Sequence, residues 1–324
     1  MEQFRAQLEN IPVPQKSFRG QTIVVTGSNT GLGFEAAKHF TRLEAARVIL
    51  AVRSKTKGDG AKAAIESATG RNNVVEVWSL EVDKFDSVQD FALKCEALDR
   101  LDVVIANAGV LRTEYEETEG FETTIKVNVI GTFLLALNLF PIMRRSGELT
   151  GQTPRLVITS SVRHHNQAKF TERLQPDIFK ALNSKATSNM MDRYDVSKLL
   201  EVMLVASINE AMKQGPNAGK PLILNNVNPG LCHSDLDRDL KGIIGFVFGT
   251  VKKMIARTTE VGGRTLVHAA ASGEESSGQY LSECRVTKPS AFVRSKEGQV
   301  VSKRLHAEIM TILDQIQPGV TSKL

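Results

Sequence analysis

The sequence predicts an α/β chain, a single doubly wound domain in which a parallel sheet is flanked by helices. Three observations carry this. Short β-branched runs recur along the chain with helix-length segments between them, the runs are almost continuously apolar, and a glycine-rich turn stands where the first run hands over to the first helix. Strands that are apolar without alternation are buried on both faces, the condition of a parallel sheet covered by its own crossover helices.

Residues 1–20 hold Pro12 and Pro14 and no sustained period, which predicts an extended lead-in. The β-branched run at 22–26 predicts the first strand, and the amphipathic stretch 34–43 after the glycines the first helix. Apolar runs at 47–52, 74–78, 103–106, 155–160 and 222–227 predict five more strands. Helical periodicity at 57–66, 85–94, 121–144 and 195–213 supplies crossovers between them. Two long passages, 162–193 and 235–257, have no clear period, and irregular segments of that length are commonly functional. The second contains Leu240, Ile243, Ile244, Phe246, Val247, Phe248, Val251, Met254 and Ile255. It predicts a substrate lid, or else an amphipathic helix packed on the core, a partner or a membrane surface. A last helix is expected at 302–315, before Pro318-Gly319. The division is then a lead-in over 1–20, a Rossmann-type dinucleotide-binding and catalytic domain over 21–284, and a C-terminal appendage over 285–324.

A chain of 324 residues with 41% hydrophobic content can bury a large core. Its longest apolar stretches fall short of the ~20 residues of a membrane span, and the N-terminus shows no basic region leading into an apolar one, so a cytoplasmic protein is expected. Cys95, Cys232 and Cys284 are scattered, which argues against a disulfide framework and against a metal site. The net charge is +5, but basic residues are interleaved with acidic ones, so no nucleic-acid partner is expected.

Four motifs carry chemistry. In Thr26-Gly27-Ser28-Asn29-Thr30-Gly31-Leu32-Gly33 the glycines permit a tight turn, close approach of the backbone to a pyrophosphate, and close packing of helix on strand. Arg53 stands about 20 residues further on, where a dinucleotide fold chooses its cofactor. An acid there would hold the 2′-hydroxyl of NAD, whereas a guanidinium suits a 2′-phosphate, so NADP(H) is expected unless Arg53 is a plain surface residue. Asn107-Ala108-Gly109 leaves the fourth strand at the carboxyl end of the sheet, with small side chains that let a flat cofactor lie against the backbone. Tyr194 and Lys198, four positions apart, share a helix face. A nearby ammonium would pull the phenol towards the working range of an acid/base, although the same spacing also suits an aromatic anchor beside a solvated charge.

Taken in order, these residues resemble the short-chain dehydrogenase/reductase family from about Gln21 to Tyr280. The match adds Asn128 in Lys126-Val127-Asn128, Ser161 after the fifth strand, and Pro229-Gly230 after the sixth. Arg53, the long gap between Ser161 and Tyr194, and Ser277-Gly278-Gln279-Tyr280 look most like the branch of retinol dehydrogenases and WW-domain oxidoreductases. The resemblance implies an NADP(H)-dependent oxidoreductase in which Tyr194 is the general acid/base, Lys198 lowers its pKa and binds the nicotinamide ribose, and Ser161 orients the substrate oxygen. Asn128 is implied to hold a water linking Lys198 to solvent. Glu81 and Val82 stand near the adenine, with Glu81 where the family usually has aspartate, and Ser234 stands where a threonine usually closes on the cofactor. His164, His165 and His233 read as pocket-wall or surface residues, because Tyr194 already supplies the proton chemistry. The apolar residues of 235–257 and Met190-Met191 point to a bulky, mostly apolar ketone, aldehyde or alcohol. The resemblance also implies a homodimer through two long helices. Its alternative is a nucleotide-sensing or non-redox protein on the same scaffold.

Overall fold

Every apolar run becomes a strand of one sheet. The computed structural model describes residues 2–166, 170–234, 236, 249 and 252–324. In it β1 (Thr22–Thr26), β2 (Arg47–Val52), β3 (Val75–Ser79), β4 (Val103–Ala106), β5 (Arg155–Thr159) and β6 (Ile223–Asn228) pair in parallel. Two short strands that the apolar pattern did not reveal extend the sheet to eight: β7 (Tyr280–Ser282), parallel to β6, and β8 (Arg285–Thr287), antiparallel to β7. The order across the sheet is β8-β7-β6-β5-β4-β1-β2-β3. Because the chain runs outward from β1 to β3 and then crosses back to β4, the connections part between β1 and β4. A crevice opens there at the carboxyl ends of the strands.

The helices are α1 (Glu2–Gln7), α2 (Gly31–Arg42), α3 (Lys55–Thr69), α4 (Phe85–Glu96), α5 (Thr123–Thr150), α6 (Ile178–Leu182), α7 (Met190–Gln214), α8 (Thr259–Ala271), α9 (Ala291–Arg294) and α10 (Lys296–Ile316). Alternation along β1 shows how they divide. Val24 joins a core with Leu134, Phe140 and Met203 under α5 and α7, while Ile23 and Val25 join one with Ala36, Phe40 and Leu266 under α2 and α8. Local chemistry sets the ends. The Ser54 side chain accepts from Lys57 N at the start of α3, and Gly70, at φ +68°, closes it. By length and hydropathy α5 would cross a membrane, but its apolar window is 94% buried, which makes it the central core helix. Its first part is not a regular α-helix. Residues Lys126–Gly131 form a π turn, and Asn128 lies within it.

The lead-in departs from the extended expectation at Glu2–Gln7, where a short helix forms; the prolines keep 10–18 free of helix. Among its described residues, passage 162–193 holds two 3₁₀ turns, α6 and the first residues of α7. Segment 285–324 packs into the fold: Val301, Leu305, Ile309 and Leu313, four apart along α10, join the α5/α7 core, and α10 lies on α7 with Ser302 Oγ donating to Met203 O (3.3 Å). Asn138 on α5 exchanges hydrogen bonds with Gln317 at 2.7 and 3.0 Å. The long helix pair to which the resemblance assigns a dimer contact therefore carries the chain's own C-terminal segment. Of the expected lid, 235, 237–248, 250 and 251 lie outside the described residues.

Candidate active site

Thr26 closes the glycine turn at the end of β1. Its Oγ1 accepts from Asn107 N and Ala108 N, both at 2.9 Å, and Asn107 Nδ2 donates back to Thr26 O (3.0 Å) and Gly27 O (3.3 Å). The loops after β1 and β4, distant in sequence, are thus one hydrogen-bonded unit. Gly27 has φ +63°, and a Cβ on it would stand 3.0 Å from Ala108 Cα. A Cβ on Gly33 would meet Asn107 Nδ2 at 2.6 Å and Gly27 O at 2.8 Å. At Gly31, by contrast, it would meet nothing within 4 Å among the described residues, so this glycine borders open space. Thr30 caps α2 without a side-chain hydrogen bond, and the first turn holds no acid. Unpaired amides over an open glycine are the donor set that a pyrophosphate requires, so the cradle fits a dinucleotide.

Around that cradle, Asn29 is half-buried and Leu32 packs against α8 beneath Gly262. Arg53 follows β2 and is exposed. Glu81 is half-buried with its amide donating to Ser87 Oγ (2.9 Å), and Val82 is buried with its carbonyl tight against Gly131. Asn228 Oδ1 accepts from both Val162 N and Gly230 N (3.1 Å each), so the segments after β5 and β6 are tied together. Arg257 donates to Pro229 O (3.0 Å) and Ala6 O (2.7 Å), while Gln7 pairs with Leu231 N and O at 2.8 and 2.9 Å. The Pro229-Gly230 turn is braced by α1, which the periodicity of the lead-in did not reveal. Ser234 is half-buried, with its carbonyl held by Lys252 Nζ (2.6 Å).

Helix α7 starts five residues before the expected position, so Tyr194 and Lys198 lie one turn apart on one helix. Lys198 Nζ lies 5.6 Å from the Tyr194 ring centroid and donates to Thr159 O at the end of β5 (2.9 Å) and to buried Glu201 Oε1 (2.7 Å). Ser161 caps the 3₁₀ turn Val162–His165, and its hydroxyl acts on the Tyr194 phenol. Asn128 Oδ1 accepts from Val110 N and its Nδ2 donates to Val110 O (2.9 Å each) and to Ser197 Oγ (3.0 Å). That side chain clamps the Asn-Ala-Gly loop to the helix bearing the Tyr-Lys pair. A Cβ on Gly109 would stand 3.3 Å from Asn128 Oδ1 and 3.8 Å from Lys198 Nζ, so the loop, Asn128 and Lys198 converge. His164 is fully buried: its Nε2 accepts from Ser290 N (3.2 Å), which leaves Nδ1–H to donate to Ser161 O (2.7 Å). It is a neutral strut beneath Ser161, and His233 is exposed.

The electrostatics add a group that the sequence reading missed. Burial raises the Tyr194 phenol above its ordinary pKa, and Lys198 opposes this without overcoming it, because Glu201 acts in the same direction as burial. The net direction is opposite to the one expected from Lys198 alone. Burial works against the Lys198 ammonium, but Glu201 and Tyr194 outweigh it, so its pKa rises and the charge is kept. Glu201 itself is pushed up to about 7 by burial, against the pull of Lys198. A lone acid between Leu199-Leu200 and Val202-Met203, three residues after a lysine, was the available signal.

The family profile described as short chain dehydrogenase matches residues 21–171. A short chain dehydrogenase/reductase from Cryptosporiopsis sp. is 46% identical over 320 residues, 97% of each chain. Among solved structures, the 3-ketoacyl-(acyl-carrier-protein) reductase of Brucella melitensis complexed with NADH is similar in fold, with a TM-score of 0.58, 16% identity and coverage of 82% of this chain and 97% of that one. A short chain dehydrogenase from Shigella flexneri complexed with NADP has a TM-score of 0.58, 20% identity and coverage of 84% and 100%.

Proposed function

The chain belongs to the short-chain dehydrogenase family of oxidoreductases, and from that premise we propose NADP(H)-dependent exchange of hydride with a bulky, mostly apolar ketone, aldehyde or alcohol. The observation that carries the reading is the convergence of Ser161, Tyr194 and Lys198 beside an open glycine cradle. NADP(H) supplies or takes up the hydride.

The chain's own residues do the rest. The cradle at 26–33 and the loop at 107–109 hold the dinucleotide, and the Arg53 fork takes its 2′-phosphate. In reduction Tyr194 donates its proton to the substrate oxygen as negative charge develops there, and in oxidation the phenolate removes it. Ser161 and Tyr194 hydrogen-bond that oxygen, an arrangement worth about 3–4 kcal/mol per donor in acyl-transfer sites. The Lys198 ammonium has three donors; Thr159 and Glu201 take two, and the third is assigned to the nicotinamide ribose. Asn128 fixes the loop and carries the water that returns protons to solvent. The apolar residues of 235–257 favour an apolar substrate, and the resemblance of Arg53 and 162–193 supports the retinol dehydrogenase-like branch.

A panel of carbonyls and alcohols with NADPH, NADH and their oxidised forms, followed by absorbance of the reduced cofactor, tests this. Tyr194→Phe abolishes turnover and leaves NADPH binding nearly intact. Substantial residual activity, or faster reduction of sugars than of aromatic ketones, would contradict the assignment.

A further inference from the structure

Glu201 is buried, and its Oε1 lies 2.7 Å from Lys198 Nζ while Oε2 has no hydrogen-bond partner among the described residues. The Thr159 carbonyl already holds Lys198 from the strand side. The buried Lys198–Glu201 pair is a costly way to fill this part of the helix, since two apolar side chains of similar volume in its place are often as stable or more so. What the acid alone adds is negative charge, and it adds it one turn beyond the cation that faces Tyr194.

We propose that Glu201 is a positioning residue of the site: it anchors the Lys198 ammonium and sets how much of that positive charge acts on the Tyr194 phenol. The inference rests on the reading of Tyr194 as acid/base. With Glu201 ionised, the phenol faces a nearly neutral pair and holds its proton. With Glu201 protonated, the phenol faces an uncompensated ammonium and its anion is favoured. The three groups therefore titrate as a coupled set. The charged and titratable groups facing Glu201 are Lys198 and Tyr194 on its own helix, with the Ser160 hydroxyl from the end of β5. From α10, the polar contacts to α7 reach only Met203 and Ser207, further along the helix.

The chain has three tyrosines, so the ultraviolet difference between the protein and its Tyr194→Phe variant isolates one phenol. Glu201→Gln keeps the size and an acceptor but removes the charge. The Tyr194 phenol then ionises about one unit lower, and the rising limb of alcohol oxidation against pH moves down with it, a gain of about tenfold below the limb. Glu201→Leu, which leaves the buried ammonium unpaired and costs more stability, moves the phenol in the same direction and also raises KM for NADP, because Lys198 loses its anchor. Glu201→Asp keeps the charge and leaves the phenol within about 0.3 unit of the parent. A purely structural ion pair would lower thermal stability in the Gln and Leu variants and leave the phenol where it was, and that result overturns the proposal. The absorbance titration needs no turnover, so absence of redox activity would remove the proposed function and leave this inference to be judged on the phenol.

Discussion

Replacing Gly33 by alanine tests whether the nucleotide cradle is as tight as the geometry says. The new methyl would lie 2.6 Å from Asn107 Nδ2 and 2.8 Å from Gly27 O. Backbone on one side leaves only the Asn107 amide free to move, and in moving it gives up its bonds to Thr26 O and Gly27 O. Overpacking costs about 1–3 kcal/mol, each lost bond about 0.5–1.5 kcal/mol, and the better helix propensity of alanine returns about 1 kcal/mol. The net is about 1–5 kcal/mol of lost stability. Because the same shift tilts the amides at the start of α2, NADPH affinity falls about tenfold or more. Urea denaturation and NADPH fluorescence titration measure the two effects. Gly60→Ala, at an exposed position of α3 where a Cβ meets nothing within 4 Å among the described residues, is the control and gains up to about 1 kcal/mol. If Gly33→Ala matches the parent in both stability and affinity, the packing argument for this turn is wrong.

Three further outcomes follow from other parts of the molecule. Burial lowers the His164 pKa to about 4 from an ordinary value near 6.5. The unfolded chain thus binds a proton that the fold refuses, stability falls as pH drops from about 6.5 to about 4 by up to about 3 kcal/mol, and the difference between urea midpoints of the protein and His164→Gln across that range measures it. Arg53→Ala raises KM for NADPH about 10- to 100-fold, as expected for losing hydrogen bonds to a charged group, and leaves KM for NADH unchanged in paired steady-state assays. Leu305→Ala lowers thermal stability by about 2–5 kcal/mol, because its fully buried side chain joins the α5/α7 core; a surface-docked appendage would lose far less.

The parts legible in the sequence were those where one local rule decides the outcome. Buried parallel strands must be apolar throughout, so residues such as Val48, Ile49, Leu50 and Val104 announced β2 and β4 directly. Gly27 and Gly33 could be read because only glycine meets the demands of backbone angle and contact at those positions. What stayed hidden depends on partners far away in sequence. Strands β7 and β8 are three residues each, too short to show a period; β7 forms on the edge that β6 offers, and β8 on the edge of β7. Helix α1 is stabilised by Arg257 and by the Leu231 backbone, more than 200 residues away. The early start of α7 follows from Arg193, buried and paired with Glu172 (2.9 Å), which no helical pattern in 188–193 encodes. Glu201 resembled an ordinary helix acid until the fold closed over it.

The π turn at Lys126–Gly131 has a consequence for how such chains can diverge. It holds one residue more than an α-helical turn, and the surplus is absorbed within the turn, so the helix beyond keeps its face. Deleting a single residue there would restore regular winding and leave Thr132–Thr150 facing the core as before. What would be lost is the place of Asn128, whose amide ties Val110 to Ser197. A one-residue deletion in this stretch would therefore spare the helix and cost the clamp, and length variation among related genes should collect in the loops on either side.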